Sequence, residues 1–134
     1  MIKDKNNDLG LLILRFAVGA LMLLHGISKI GSLGMIEGIL ASKGLPTAMA
    51  YGVYITEIIA PLLILIGYRT RLSSLVYVSG CIFAFLLVHT HDFFALNDHG
   101  GWKIELLGLY TLGAVALFFT GGGKYATSTS NRWD

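Results

Sequence analysis

The stretch LGLLILRFAVGALMLLHGISKI, residues 9–30, decides the fold. A bilayer core of about 30 Å is crossed by a helix of about 20 mostly apolar residues, because each residue adds about 1.5 Å. This run meets that length and is interrupted only by Arg15, His25 and Lys29. Working outward from it, three more runs repeat the pattern, at residues 49–67, 72–88 and 104–120. With 54% hydrophobic and 13% charged residues and a mean hydropathy of +0.69, the chain of 134 residues is too apolar for an ordinary soluble domain. The expected architecture is all-α: a transmembrane four-helix bundle formed by one membrane domain over residues 1–134, with a tail at 121–134.

Lys3 and Lys5 ahead of the first run resemble a signal peptide. The run is too long for a signal core, however, and no small-x-small cleavage site follows in HGISKIGSLG, so it is read as a retained helix. Cys81, the sole cysteine, excludes an intrachain disulfide and is read as a small buried hydrophobe.

The connections constrain the topology. GYRTRL (67–72) is so tight that the second and third helices must be antiparallel neighbours. In SLGMIEGILASKGLPTA (32–48), Met35, Ile36, Ile39 and Leu40 group on one helical face, which predicts a short helix lying at the membrane interface. The final GGGKYATSTSNRWD (121–134) reads as a flexible polar tail after a glycine stop. Lys3, Lys5, Arg69, Arg71, Lys124 and Arg132 lie on one side of the bundle, against Lys29, Lys43 and Lys103 on the other. The positive-inside rule then places both termini in the cytoplasm. The net charge of +2 says little about partners; the expected surroundings are the lipid bilayer, and no nucleic acid partner is expected.

Charges inside a membrane are costly and face partners within the bundle. Counted along the helices at about 1.5 Å per residue, Arg15 lies roughly 9 Å from one edge and Glu57 about 15 Å from either. An Arg15–Glu57 pair near the midplane is therefore expected, with snorkelling of Arg15 to the headgroups as the competing arrangement. His25 and Lys29, four apart, share a face. By the same count His25 and His89 sit at one depth, about 24–25 Å from the cytoplasmic edge, and Glu105 joins them. The loop HTHDFFALNDHGGWKIE (89–105) adds His91, Asp92, Asp98 and His99, so it is expected to lie over a polar cluster supplied by the first helix. His89-x-His91 with His99 and Glu105 is a weak metal motif, since positions two apart on a helix diverge, and no metal is assigned. Trp102 suits an interfacial anchor of the fourth helix. Tyr51, Tyr54, Phe83, Phe85, Phe93, Phe94 and Tyr110 concentrate toward the same end, where a flat ligand such as a quinone head could rest beside a histidine and a carboxylate, although such residues also serve plain packing.

LRFAVGALMLLHGISKI (14–30), an acid in the second helix, and DFFALNDHGGWKIELLGLYTLGAVALFFTGGGKYA (92–126) together resemble the DoxX family of small four-helix membrane proteins. The family's helix-one arginine and HGxxK positions fall on Arg15, His25, Gly26 and Lys29, its helix-two acid on Glu57, and its Gly-Gly-Trp-x-x-acid entry to helix four on Gly100, Gly101, Trp102 and Glu105. Where the family commonly closes helix four with Gly-Pro-Gly, this chain has GGGKYA. The resemblance implies a membrane subunit of quinone-linked oxidation, or a membrane partner in oxidative-stress assemblies.

The combined expectation is a bacterial inner-membrane protein with an outward-facing polar pocket, acting as a redox subunit with protein partners and compatible with a homo-oligomer. His25, Glu57, His89 and Glu105 would be the reacting groups; Arg15, Lys29 and Trp102 would hold a cofactor, a quinone. Two other classes stay open: a small proton-coupled transporter titrating at Glu57, and a non-catalytic anchor for soluble partners.

Overall fold

A computed structural model describes residues 6–134; Lys3 and Lys5, on which part of the orientation rests, lie outside the described residues. The chain is all-helical. Helix α1 (Asn7–Ser28) is followed by the short α2 (Gly34–Ser42) and by α3 (Thr47–Ile66), α4 (Thr70–Asp92) and α5 (Glu105–Thr120). By length and composition α1, α3 and α4 are long enough to cross a membrane, and α5 is a shorter apolar helix. Each agrees with its run in the sequence to within a few residues, and α2 is the short helix expected in the first connection. Many large side chains, among them Ile13, Phe16, Leu24, Leu86, Leu109, Leu112 and Phe119, are more than half exposed. In water such a surface would be untenable, whereas lipid tails solvate it. The protein is a membrane protein.

Local chemistry sets the helix ends. The Asn6 side chain accepts from the Leu9 N–H and caps α1. Gly67, at φ 77°, closes α3 in the left-handed conformation, with the Tyr68 N–H bonded to the Leu63 carbonyl, and Arg69 (φ 48°) completes the tight turn into α4. The bundle core joins Val18 and Met22 from α1, Ala60 and Ile64 from α3, Tyr77 and Cys81 from α4, and Ala114 and Leu117 from α5. A second cluster holds α2 in place through Leu33, Leu40 and Ala50, with Tyr54 and Leu87 packed against it.

Two stretches depart from regular helix. Residues Ile55–Ile59 of α3 and Phe85–His89 of α4 form π turns. The first has a covalent cause. Pro61 has no N–H to give the carbonyl four residues back, which is that of Glu57, and its ring crowds that carbonyl, so the helix widens by one residue there. Gly26 of α1 lies directly against the same region, and a Cβ on it would collide with the Glu57 carbonyl.

The tail departs from expectation. Segment 121–134 folds back under the α3–α4 turn: the Arg71 N–H donates to the Trp133 carbonyl (3.0 Å), and the Ser128 N–H to that of Gly67 (3.1 Å). Asp134 is buried; its carboxylate accepts from the Arg69 guanidinium (3.1 Å), the Ser128 hydroxyl (2.8 Å) and the Asn131 N–H (2.7 Å). Burial pushes the carboxyl up, but these three donors together hold it below the usual aspartate value. The segment is held in place because several of its polar groups find partners on the turn, on α1 or within the segment itself.

Candidate functional site

A cavity of about 620 Å³ lies between α2, α3 and α4. Its walls are mostly apolar: Met35, Ile36 and Ile39 of α2, Met49 and Val53 of α3, and Phe83, Leu87 and Val88 of α4. Three ionisable groups reach it, Lys29 from the end of α1, Glu57 from the first π turn and His89 from the second. Lys29 Nζ donates to both carboxylate oxygens of Glu57, at 2.7 and 2.6 Å. The Glu57 side chain is 17% exposed and that of Lys29 34%. A charged acid at this depth is therefore matched by the nearest cation that can reach it.

Behind Glu57 is a second space of about 30 Å³, bounded by Met22, Thr56, Tyr77, Gly80, Cys81, Ala84 and Leu107. Glu57 thus borders both spaces, and the smaller one has room for a water molecule. Cys81 is buried there within the bundle core.

His89 has its own support. Its Nδ1 lies 3.2 Å from Asp92 Oδ2, and Lys103 Nζ lies 3.0 Å from Asp92 Oδ1. Lys103 belongs to the loop before α5, which is turned by the Asn97 N–H to Gly101 carbonyl bond (2.7 Å) and the Lys103 N–H to Ala95 carbonyl bond (3.0 Å). The loop does not line the cavity. The expected roof over the polar groups is supplied by α2, and the loop instead braces His89 from the side through Lys103 and Asp92.

The remaining residues singled out in the sequence are dispersed. Arg15 is buried at 2% exposure, and its guanidinium donates to the carbonyls of Ile64 (3.0 Å), Leu65 (2.8 Å) and Gly122 (3.3 Å). The expected Arg15–Glu57 pair does not form, because Arg15 faces the last turn of α3, where open carbonyls and the negative helix end suit a cation. His25 is exposed and meets the Tyr110 ring edge-on at 5.9 Å. Glu105 is also exposed, beside Gly101. The single cluster of His25, His89 and Glu105 is thus not assembled: equal depth along the helices did not bring equal facing. Trp102 donates its Nε1–H to the Phe93 carbonyl (2.7 Å) and lays its ring over Gly108, so it pins the loop to α5 and stays outside the cavity. Asp92 was placed in the outer polar cluster by the sequence but given no partner, and its position three after His89 was the available signal for the pairing. Pro61, four after Glu57, was a second signal that went unread.

A bundle of apolar helices with a cavity lined by one ion pair and one braced histidine defines a helical membrane protein. Comparison with known proteins narrows the class: the DoxX family pattern matches residues 10–90, and the chain belongs to the DoxX family. It is 34% identical over 86 residues to a Bacillus subtilis (strain 168) protein named "Putative oxidoreductase CatD", an alignment that spans 63% of this chain and 63% of that protein. No solved structure matches the chain.

Proposed function

We propose that this chain is one DoxX-like membrane domain serving oxidoreductase chemistry in a bacterial cell membrane, with its cavity binding the head group of a quinone. The carrying observation is the convergence of Lys29, Glu57 and His89 on one cavity walled by apolar side chains. A volume of about 620 Å³ falls among those of small-molecule sites, roughly 300–1,000 Å³. Apolar walls suit a ring and part of its isoprenoid chain, and the three polar groups suit its oxygens. A bound quinone would supply the two-electron, two-proton chemistry that no side chain here carries.

In this reading Lys29 and Glu57 hold one end of the ring and can hold or release a proton at the Glu57 carboxylate, while His89 meets the other. The helix α2 excludes water. Arg15 and Trp102 build the frame, and His25 and Glu105 are left outside the reacting set. Electrons come from a redox or stress-response partner protein. The cavity faces outward and both termini face the cytoplasm, in keeping with Arg69, Arg71, Lys124 and Arg132 at the opposite end. The name of the Bacillus relative supports an oxidoreductase role.

A proton-coupled permease centred on Glu57 is the second reading, favoured by the two spaces that Glu57 borders. The folded tail beneath the α3–α4 turn disfavours it, since alternating access needs an opening at that end.

The test is binding of a short-tailed quinone and its hydroquinone to the protein in nanodiscs. Saturable binding is expected, weakened about tenfold or more by Glu57→Gln, a loss of about 1.4 kcal/mol. Absence of saturable binding of either form, or equal binding by Glu57→Gln, contradicts it.

A further inference from the structure

The polar groups that line the cavity share a property that bears on what it can hold. Thr56 spends its hydroxyl hydrogen on the Gly52 carbonyl (3.2 Å), and Ser79 spends its own on the Val76 carbonyl (2.6 Å). Lys29 commits two of its three hydrogens to Glu57. What Glu57 offers a ligand is carboxylate lone pairs, which only accept.

His89 completes the pattern. Asp92 is buried and in contact with the Lys103 ammonium, which keeps it ionised, and an ionised carboxylate accepts but never donates. The hydrogen between Asp92 Oδ2 and His89 Nδ1 must therefore sit on the imidazole. In the neutral ring the other nitrogen, Nε2, is then a bare lone pair, and no described residue hydrogen-bonds it.

We propose that Asp92, fixed by Lys103, is a positioning residue that holds His89 in its Nδ1–H tautomer, so that the His89 end of the cavity presents an acceptor and selects a ligand bringing a hydroxyl hydrogen there: the reduced, dihydroxy form of a quinone. This rests on the quinone reading above. A hydroquinone gives its two O–H hydrogens to Glu57 and to His89 Nε2. An oxidised quinone has only carbonyl oxygens; one can take the third Lys29 hydrogen, but the other would meet the bare lone pair of His89 Nε2. Sites that hydrogen-bond a ligand hydroxyl discriminate against the analogue without it; here Glu57 keeps Lys29 as a partner and the His89 side chain is 39% exposed, so the discrimination rests on the His89 contact and is modest.

The groups around His89 that bear on its charge are Asp92 and His91 on its own helix, Lys103 from the loop, Lys29 from α1 and Glu57 from α3. Two measurements test the proposal. The ¹⁵N chemical shifts of His89, assigned by their loss in His89→Gln, report the tautomer without any ligand. In the unaltered protein at a pH where the ring is neutral, the Nδ1–H form should dominate. Asp92→Asn should shift the population toward Nε2–H, and Lys103→Gln, which leaves the Asp92 carboxylate in place, should do so less. Calorimetric binding of a short-tailed hydroquinone and its quinone should show the reduced form bound several-fold more tightly, with Asp92→Asn shrinking that ratio. A dominant Nε2–H tautomer in the unaltered protein overturns Asp92's role. The expected tautomer with equal affinity for both forms overturns the selectivity while the quinone reading stands. Binding of neither form overturns the quinone reading and the selectivity together.

Discussion

The two ends of the bundle each take a cation from α1 or its C-terminal cap, Arg15 buried and Lys29 half-buried, and they use it in opposite ways. At the tail end Arg15 meets no carboxylate among the described residues; three carbonyls take up its guanidinium, and segment 121–134 closes over the region. At the cavity end Lys29 meets Glu57 beside a space of about 620 Å³. Backbone carbonyls cannot titrate or move, so a cation held by them is a fixed part of the frame. A carboxylate can change its proton, and beside an open volume it can change its partner. The contrast teaches that a buried charge becomes a candidate for function through the chemistry and space around it.

The contrast is broken most forcefully from the Arg15 side. Arg15→Gln strands three carbonyls, two of them in buried bonds and one part-buried, and should destabilise the fold by about 3–5 kcal/mol, read as a large fall in the thermal midpoint in detergent. A midpoint near that of the unaltered protein would show that the guanidinium is dispensable to the frame.

Gly26→Ala tests how the two helices are joined beside Glu57. Its Cβ would strike the Glu57 carbonyl, and forcing α1 from α3 should cost about 1–3 kcal/mol, with weakened ligand binding as a consequence. Unchanged stability and binding would mean that α1 and α3 have slack at this crossing.

Glu57→Gln should behave differently from both. Lys29 is a third exposed and can turn to water, so the stability loss should be about 1 kcal/mol or less, while ligand binding falls.

The smallest effect belongs to the tail. Asp134 has its folded value depressed, so its contribution is present above the unfolded value of about 3.9 and is lost as pH falls through the lower folded one. Asp134→Asn should therefore speed proteolysis of segment 121–134 at pH 7, and the two proteins should converge as pH falls through the depressed folded value. A difference that persists at low pH would place the tail's anchor elsewhere.

Much of this was legible in the sequence. The apolar runs gave the helices, and Met35, Ile36, Ile39 and Leu40 gave α2, because periodicity is written in residue order. Lys29, Glu57 and His89 were picked out as ionisable groups in or beside spans. Their pairing was not legible, since it depends on how antiparallel helices are set against each other. Taking the span ends as level put Arg15 near Glu57. In the structure Arg15 lies against Leu65 and Gly19 against Pro61, so α1 overshoots the end of α3 by about two turns, and the tail fills the step, with the Lys124 N–H on Asp8. Helix rotation likewise separates His25, turned to Tyr110, from His89. Neither register nor rotation is carried by hydropathy.

The central claim is that one end of the bundle is built to bind and the other to hold. Its most direct measurement is a side-by-side determination, in nanodiscs, of hydroquinone affinity and thermal midpoint for Glu57→Gln and Arg15→Gln. The account predicts that Glu57→Gln loses about tenfold or more in affinity with little change in midpoint, while Arg15→Gln loses midpoint and its remaining folded fraction binds normally. The reverse pattern, with Arg15→Gln abolishing binding in a stable protein and Glu57→Gln binding as before, would contradict it.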